Sequence, residues 1–321
     1  MARIALITPA LASGNNGNWQ TAKRWRGFLS PLHQVHLAQA WHGGDEDLML
    51  ALHARRSAAS VQAWKQRDPT RPLVLVLTGT DLYQDIARDA SAQASLAWAD
   101  VLVVLNDRGA QALPPPQRNK AVVILQSCSA WQTVAKTSRH LRALMVGHLR
   151  PEKDPDTYWR AAALLAHRAD LQLLHIGGAL DDALAAQARA VQDACPNYRW
   201  LGALSHAQAR RHIQRAHVLV HPSRLEGGAH VVIEALCSGT AVLASRMEGN
   251  CGLLGNDYPG YFEVGDAEGL AEWLVTLRED ASRLHALSAA GEALQARFTP
   301  EQEAQAVQAV VARCLRGAHR R

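Results

Sequence analysis

Apolar residues in this chain fall into short, strand-length runs separated by longer segments with helical spacing, and the alternation occurs in two successive series. In the first, apolar runs occupy 3–9, 34–39, 73–77, 101–105 and 122–126, with helical periodicity over 19–29, 47–66 and 84–97. The second has runs at 143–149, 172–176, 200–201, 218–220 and 242–244, interleaved with helical patterns at 155–167, 181–193, 206–215 and 230–237. Alternating strands and helices bury parallel strands between helical layers, so the pattern predicts an α/β fold with two doubly wound sheets. Ligands in such folds bind outside the carboxyl ends of the strands, and two facing domains imply a cleft. The polar segment 127–142 predicts the join. The expected organisation is an amino-terminal domain over 1–140, a carboxy-terminal domain over 141–298 and a closing helix over 299–321.

At 321 residues with 48% hydrophobic and 20% charged positions, the chain has the composition of a folded globular protein of two ordinary domains. The start, MARIALITPA, runs directly into a strand, and no apolar stretch approaches eighteen residues, so a cytoplasmic protein without a membrane role is expected. Cys128, Cys195, Cys237, Cys251 and Cys314 are scattered without a C-x-x-C, which predicts reduced, mostly buried thiols. A net charge of +5 favours anionic partners. Basic residues are dispersed and no nucleic-acid motif is present, so small phosphorylated ligands are expected and nucleic acid is not. Protein partners are left open.

The densest chemistry lies in 221–250, HPSRLEGGAHVVIEALCSGTAVLASRMEGN. A strand runs into a small-residue turn and then a helix, where the amides of Gly227, Gly228 and Ala229 and the helix dipole suit an anion, and glycines permit close approach of a diphosphate. Glu226 would lie beside that diphosphate. Glu234, about two helical turns on, points back along the same face, and carboxylates accept hydrogen bonds from sugar hydroxyls. The first strand opens onto SGNNGNWQTAKRW, in which Gly14, Asn15, Asn16 and Gly17 would present amides to the donor phosphate. Asn18, Trp19, Gln20 and Lys23 follow as acceptor-side candidates. Thr78-Gly79-Thr80-Asp81 ends another strand, where Thr78, Thr80 and Asp81 would meet a substrate, unless Asp81 caps the next helix.

Asp45-Glu46-Asp47 and Asp154-Pro155-Asp156 read as helix starts and not as metal ligands. The fifteen histidines form no H-E-x-x-H and no histidine–cysteine pair at ligand spacing. Neither metal nor other cofactor is expected.

Two glutamates with seven residues between them, on the frame Pro-Ser … Glu-Gly … Glu-Ala … Ser-Gly-Thr-Ala-Val, resemble the donor-binding core of retaining-type GT-B glycosyltransferases, built from two Rossmann-like domains. The resemblance implies that Glu226 contacts the donor sugar, that Glu234 holds the ribose, and that the last helix crosses back onto the amino-terminal domain. GHLRPEKDP over 147–155 is similar to the family's Gly-Arg-Leu … Lys signature, whose cations hold the donor diphosphate. Lys153 matches the lysine, His148 stands at the arginine position, and Arg150 is the nearest substitute. Cations there stabilise charge that grows on the departing diphosphate.

More narrowly, ITPALASGNNGNWQTAKRW, LTGTDLYQD, VGHLRPEKDP and RLEGGAHVVIEAL resemble the selenosugar synthases of selenoneine biosynthesis. That resemblance implies transfer of glucose or N-acetylglucosamine from a UDP-sugar to selenophosphate, giving a selenosugar, phosphate and UDP. Lys153, Glu226 and Asp81 would then be catalytic, and Lys23, Arg24, Arg88 and Arg246 would be candidates for the acceptor phosphate. A hydroxyl acceptor and a UDP-sugar 2-epimerase are the alternatives.

Overall fold

The computed structural model describes residues 1–11 and 17–318. The chain divides into two compact units, the first comprising 1–127, 226–228 and 300–321, the second 128–225 and 229–299.

Within the first unit the elements run β1 (Arg3–Ile7), α1 (Gly17–Leu29), β2 (Gln34–Ala38), β3 (Leu48–Leu52), α2 (Ala58–Arg67), β4 (Leu73–Leu77), α3 (Ile86–Arg88), α4 (Ala90–Trp98), β5 (Val101–Val104) and β6 (Ala121–Val123). The second unit contains β7 (Leu141–Val146), α5 (Pro155–Leu164), β8 (Leu171–Ile176), α6 (Asp182–Ala194), β9 (Tyr198–Trp200), α7 (His206–Arg215), β10 (Val218–His221), α8 (His230–Leu236), β11 (Ala241–Ser245), α9 (Glu248–Leu254), β12 (Tyr261–Phe262), α10 (Ala267–Glu279) and α11 (Ala281–Glu292). The final helix, α12 (Pro300–Ala318), returns to the first unit.

Each unit is a six-stranded sheet, ordered β2-β1-β3-β4-β5-β6 and β12-β11-β10-β7-β8-β9. All pairings are parallel, as the α/β alternation predicts. Strand order reverses between β1 and β3 in the first sheet and between β7 and β10 in the second. Those are the topological switch points, so the loops after β3, β7 and β10 lie where doubly wound sheets bind ligands. No helix among the described residues is long and apolar enough to cross a membrane.

One stretch departs from the pattern reading. Residues 47–66, expected as a single helix, are strand β3 followed by helix α2. Leu-Met-Leu-Ala-Leu is a continuous apolar run with every residue buried, and a central parallel strand covered on both faces shows no alternation to distinguish it from a buried helix. The two-residue β12 was also not foreseen, being too short to leave a period.

The first sheet is covered on both sides. On one, Trp41, Val61, Trp64 and Leu96 pack against β1, β3 and β4; on the other, Trp25 and Leu29 of α1 meet Val307, Val310, Val311 and Cys314 of α12. A single carboxylate pins α12 in place. Glu303, 2% exposed, accepts from Arg24 Nε (2.6 Å) and Nη2 (2.9 Å), Trp25 Nε1 (2.7 Å), and Ser127 N (2.8 Å) and Oγ (2.5 Å). Arg24, an acceptor-phosphate candidate in the sequence, is therefore committed to the fold. Glu303→Ala would remove the acceptor of a partly buried guanidinium and of a buried indole, amide and hydroxyl, at a cost of about 3 kcal/mol. Urea unfolding should show a correspondingly lower midpoint, whereas a midpoint within experimental error of the native chain would contradict this role.

Candidate functional site

In the second unit, the loop leaving β7 carries the cations expected to meet a diphosphate. Two backbones touch at its base: a Cβ added to Gly177, just beyond β8, would lie 1.7 Å from the Gly147 carbonyl oxygen, so only glycine fits. His148, where the resembling families place arginine, is half-buried and accepts the Gly178 amide on Nδ1 at 3.1 Å. Burial, aided by Arg150, lowers its pKa, which keeps it a neutral backbone brace. The guanidinium of Arg150 lies 3.7 Å from Glu152, and its Nε is buried without a hydrogen-bond partner.

Lys153 is aimed by the residue after it. Asp154 has left-handed backbone (φ +50°), and its carboxylate accepts from Thr157 Oγ1 (2.7 Å) and pairs with Arg224 Nη2 (3.1 Å). The Arg224 amide donates to the Glu152 carbonyl at 2.9 Å, so the loops after β7 and β10, on either side of the switch point, are stitched together. Asp154 is thus a structural anchor, in keeping with the non-metal reading of Asp154-Pro155-Asp156. Lys153 itself packs its side chain over Gly147, where an added Cβ would lie 3.5 Å from its Cδ.

Beneath this loop, His175 of β8 is completely buried. Its Nε2 meets the Gly147 carbonyl at 3.2 Å and its Nδ1 meets the Tyr198 hydroxyl at 3.2 Å. Tyr158 and Tyr198 flank it edge-on, with centroids 6.3 and 6.5 Å away. Burial pushes its pKa down to about 4.

Glu234 of α8 is 2% exposed. Its Oε1 faces His206 Nε2 at 2.5 Å, His230 Nδ1 at 3.3 Å and Arg210 Nη1 at 4.0 Å. Burial by itself would raise the pKa of this carboxyl, but the imidazoles of His230 and His206 outweigh it and hold the group well below the usual carboxylate range. A Ser205–Gln208 capping box fixes the start of α7 and so the position of His206. Arg210 also bonds the Ser129 carbonyl at 2.9 Å, contacts Cys128 Sγ, and lies 4.9 Å over the Trp131 ring.

The remaining candidates, apart from Ala229 and Arg246, belong to the first unit, which by its contacts includes Glu226, Gly227 and Gly228. Glycine is required at Gly227, where a Cβ would fall 2.5 Å from the Thr78 carbonyl carbon and 2.7 Å from the Gly79 nitrogen. The Gly227 carbonyl accepts from Asn106 Nδ2 at 2.7 Å, and Gly228 abuts Leu105. Glu226 is half-buried, and Ala229 precedes α8 in the second unit.

Asp81 is fully buried. One oxygen accepts the Thr78 and Gly79 amides (2.9 and 2.8 Å) and the other the Ala54 amide (2.9 Å). Both oxygens are thus taken up by backbone amides, and His53 Nδ1 lies 3.9 Å from one of them. The group that does approach the Thr80 hydroxyl is His53, at 3.1 Å through Nε2. His53 follows β3 at the first sheet's switch point and holds the unusual φ of +71°. Nothing in its local sequence marks it, because the strand before it reads as helix.

Gly14, Asn15 and Asn16 lie outside the described residues. Gly17 and Lys23 are exposed on α1, with Asn18, Trp19 and Gln20 partly so. Arg88 is exposed at the end of α3. Arg246 of the second unit sits 4.6 Å over the Tyr261 ring and 3.5 Å from Glu263, so its charge is already shared.

Residues 132–293 match the family described as glycosyl transferases group 1. No curated protein matches the chain. Among solved structures, it is similar to sucrose-phosphate synthase from Thermosynechococcus elongatus, with 17% identity over 98% of this chain and 99% of that one at a TM-score of 0.79. It also resembles HepE from Anabaena, solved with UDP-glucose, with 13% identity, 97% and 100% coverage and a TM-score of 0.79. The pneumococcal O-GlcNAc transferase GtfA, solved with UDP and GlcNAc, gives 19% identity over 83% of this chain and 57% of that one, with a TM-score of 0.65. At these identities the likeness establishes the fold.

The buried His175 makes a pH prediction. An unfolded histidine takes up a proton near pH 6.5, whereas His175 in the folded chain does so only at about 4, so its contribution is complete above pH 6.5 and lost as pH falls between those values. Over that window the native chain should lose roughly 3 kcal/mol relative to His175→Gln. Urea midpoints of the two proteins from pH 7 to 4.5 check this; parallel curves would mean that His175 titrates normally.

Proposed function

The chain belongs to the glycosyl transferases group 1, and from that premise we propose that it transfers glucose or N-acetylglucosamine from a UDP-sugar to selenophosphate. The carrying observation is the second sheet's switch point, where a loop bearing Arg150 and Lys153 is braced by Asp154, Arg224 and His148. A diphosphate fits those cations and the amides around them. Glu234 would receive the ribose hydroxyls, and Glu226, next to the glycines, the sugar. That the HepE and GtfA structures hold UDP or a UDP-sugar supports a uridine nucleotide here.

The acceptor is inferred from two observations. Four segments of this sequence resemble selenosugar synthases, and both oxygens of the one carboxylate in the Thr78–Asp81 loop are buried and already accept backbone amides. An alcohol must surrender a proton to attack, whereas selenophosphate is already anionic and its selenium is polarisable. Selenium would attack the anomeric carbon as the bond to the UDP oxygen breaks and UDP leaves with the electron pair. Water would then attack phosphorus, the phosphorus–selenium bond would break, and phosphate and the selenosugar would separate. Lys153 and Arg150 would stabilise the charge accumulating on the leaving diphosphate.

Incubation with UDP-glucose or UDP-N-acetylglucosamine plus selenophosphate, followed by mass spectrometry, should yield a selenium-bearing sugar and UDP. UDP released without acceptor would indicate the epimerase reaction, and turnover only with alcohols a conventional transferase. Lys153→Ala should lower kcat and weaken UDP binding, and Glu234→Ala should weaken UDP about 10- to 100-fold, the worth of one charge-assisted hydrogen-bonded contact. Calorimetric UDP titration reads both. Unchanged affinity in both variants would place the nucleotide elsewhere.

A further inference from the structure

The second unit also brings together a donor set of the kind that holds a transition metal. His206 Nε2, His230 Nδ1 and a Glu234 carboxylate oxygen all lie within 4.8 Å of one another. They come from the starts of α7 and α8 and from the second turn of α8, and His230 and Glu234 are one helical turn apart on the same face. We propose that His206, His230 and Glu234 form a binding site for a borderline-soft divalent ion such as Zn2+, Co2+ or Ni2+.

The distances suit such an ion with one small adjustment. Tetrahedral coordination with bonds of about 2.0 to 2.1 Å separates ligand atoms by about 3.3 Å. His230 Nδ1 already stands 3.3 Å from Glu234 Oε1, and His206 Nε2, at 2.5 Å, must withdraw by less than 1 Å. The His206 side chain is 48% exposed, which leaves room for that shift and gives the ion an entry path. Glu234, at 3%, is held inside. Two imidazoles and one carboxylate favour late first-row ions over Mg2+, which prefers an octahedral set of oxygens. The Arg210 guanidinium, 4.0 Å from Glu234 Oε1, opposes a second positive charge, so the site is weaker than a structural zinc centre and suits reversible occupancy.

Resting on the donor reading given above, a further consequence follows: an ion on Glu234 takes the oxygens that would receive the ribose, so metal and UDP exclude each other. A group 1 transferase with this trio would be inhibited by zinc without using a metal in its chemistry.

Cobalt reports both points separately. Titration of the full chain with Co2+ alone should give a saturable visible band of low-coordinate cobalt. His206→Ala and His230→Ala should each weaken it roughly tenfold or more, the least expected when a group fixing a metal is lost. His206 is half exposed and His206→Ala should keep the native thermal transition, so loss of the band there is not unfolding. Absence of the band in the native chain, or native affinity retained in both variants, overturns the site. Addition of UDP should bleach the band. A band that depends on both histidines but survives saturating UDP, with UDP binding verified calorimetrically, upholds the metal site and removes Glu234 from the nucleotide site.

Discussion

Five hydrogen bonds converging on the buried carboxylate of Glu303 decide how this chain is partitioned. Burying a carboxylate is tolerable only when its lone pairs are filled, and here a guanidinium, an indole, an amide and a hydroxyl fill them. These donors come from α1 and from Ser127, the last residue of the first unit before the chain crosses into the second. Fixing them on α12 ties three distant stretches of sequence at one point. The second unit is consequently an insertion, entered after Ser127 and left before Pro300, while Glu226–Gly228, in the loop between β10 and α8, group with the first unit.

The chemistry-bearing loops of the second unit follow from parallel-sheet topology plus close backbone approach. Gly177 lets the turn after β8 touch the Gly147 carbonyl, and His175 fastens that carbonyl from below. With its base so fixed, the loop can carry Arg150 and Lys153 without relying on their own flexible stems, and Asp154 sets its exit into α5. The first unit uses the same device on a different group: Asp81 gathers three amides and thereby shapes the Thr78–Asp81 turn that Gly227 lies against.

Motifs whose members are close in sequence were readable from the residues. The α/β alternation rests on local spacing, and the two parallel sheets follow from it; Lys153 and Glu234 were singled out by short motifs, and their roles are proposals. What escaped depends on long-range proximity. His206 and Glu234 are 28 positions apart and meet only through the packing of α7 beside α8, although His230 and Glu234, four apart on a helix, were a legible pair. Asp81 was read by its position after a strand; that it is buried and accepts three backbone amides is not written in a four-residue motif. Strand β3 was misassigned because complete burial erases periodicity, and that error hid His53. Gly14, Asn15 and Asn16 fall outside the described residues, so the first loop's part in phosphate binding stands as a sequence expectation.

The return of α12 has a consequence for biosynthesis. Pro300 leaves the ribosome 173 residues after Ser127 (300 − 127), roughly ten to thirty seconds later at ordinary translation rates. Until then, the apolar surface that Val307, Val310, Val311 and Cys314 will cover stays bare on the nascent chain. The inserted unit, whose own segments are all synthesised by then, can therefore mature before the unit that precedes it. Order of emergence and order of completion are inverted, and the waiting half is the one that chaperones would have most reason to shield.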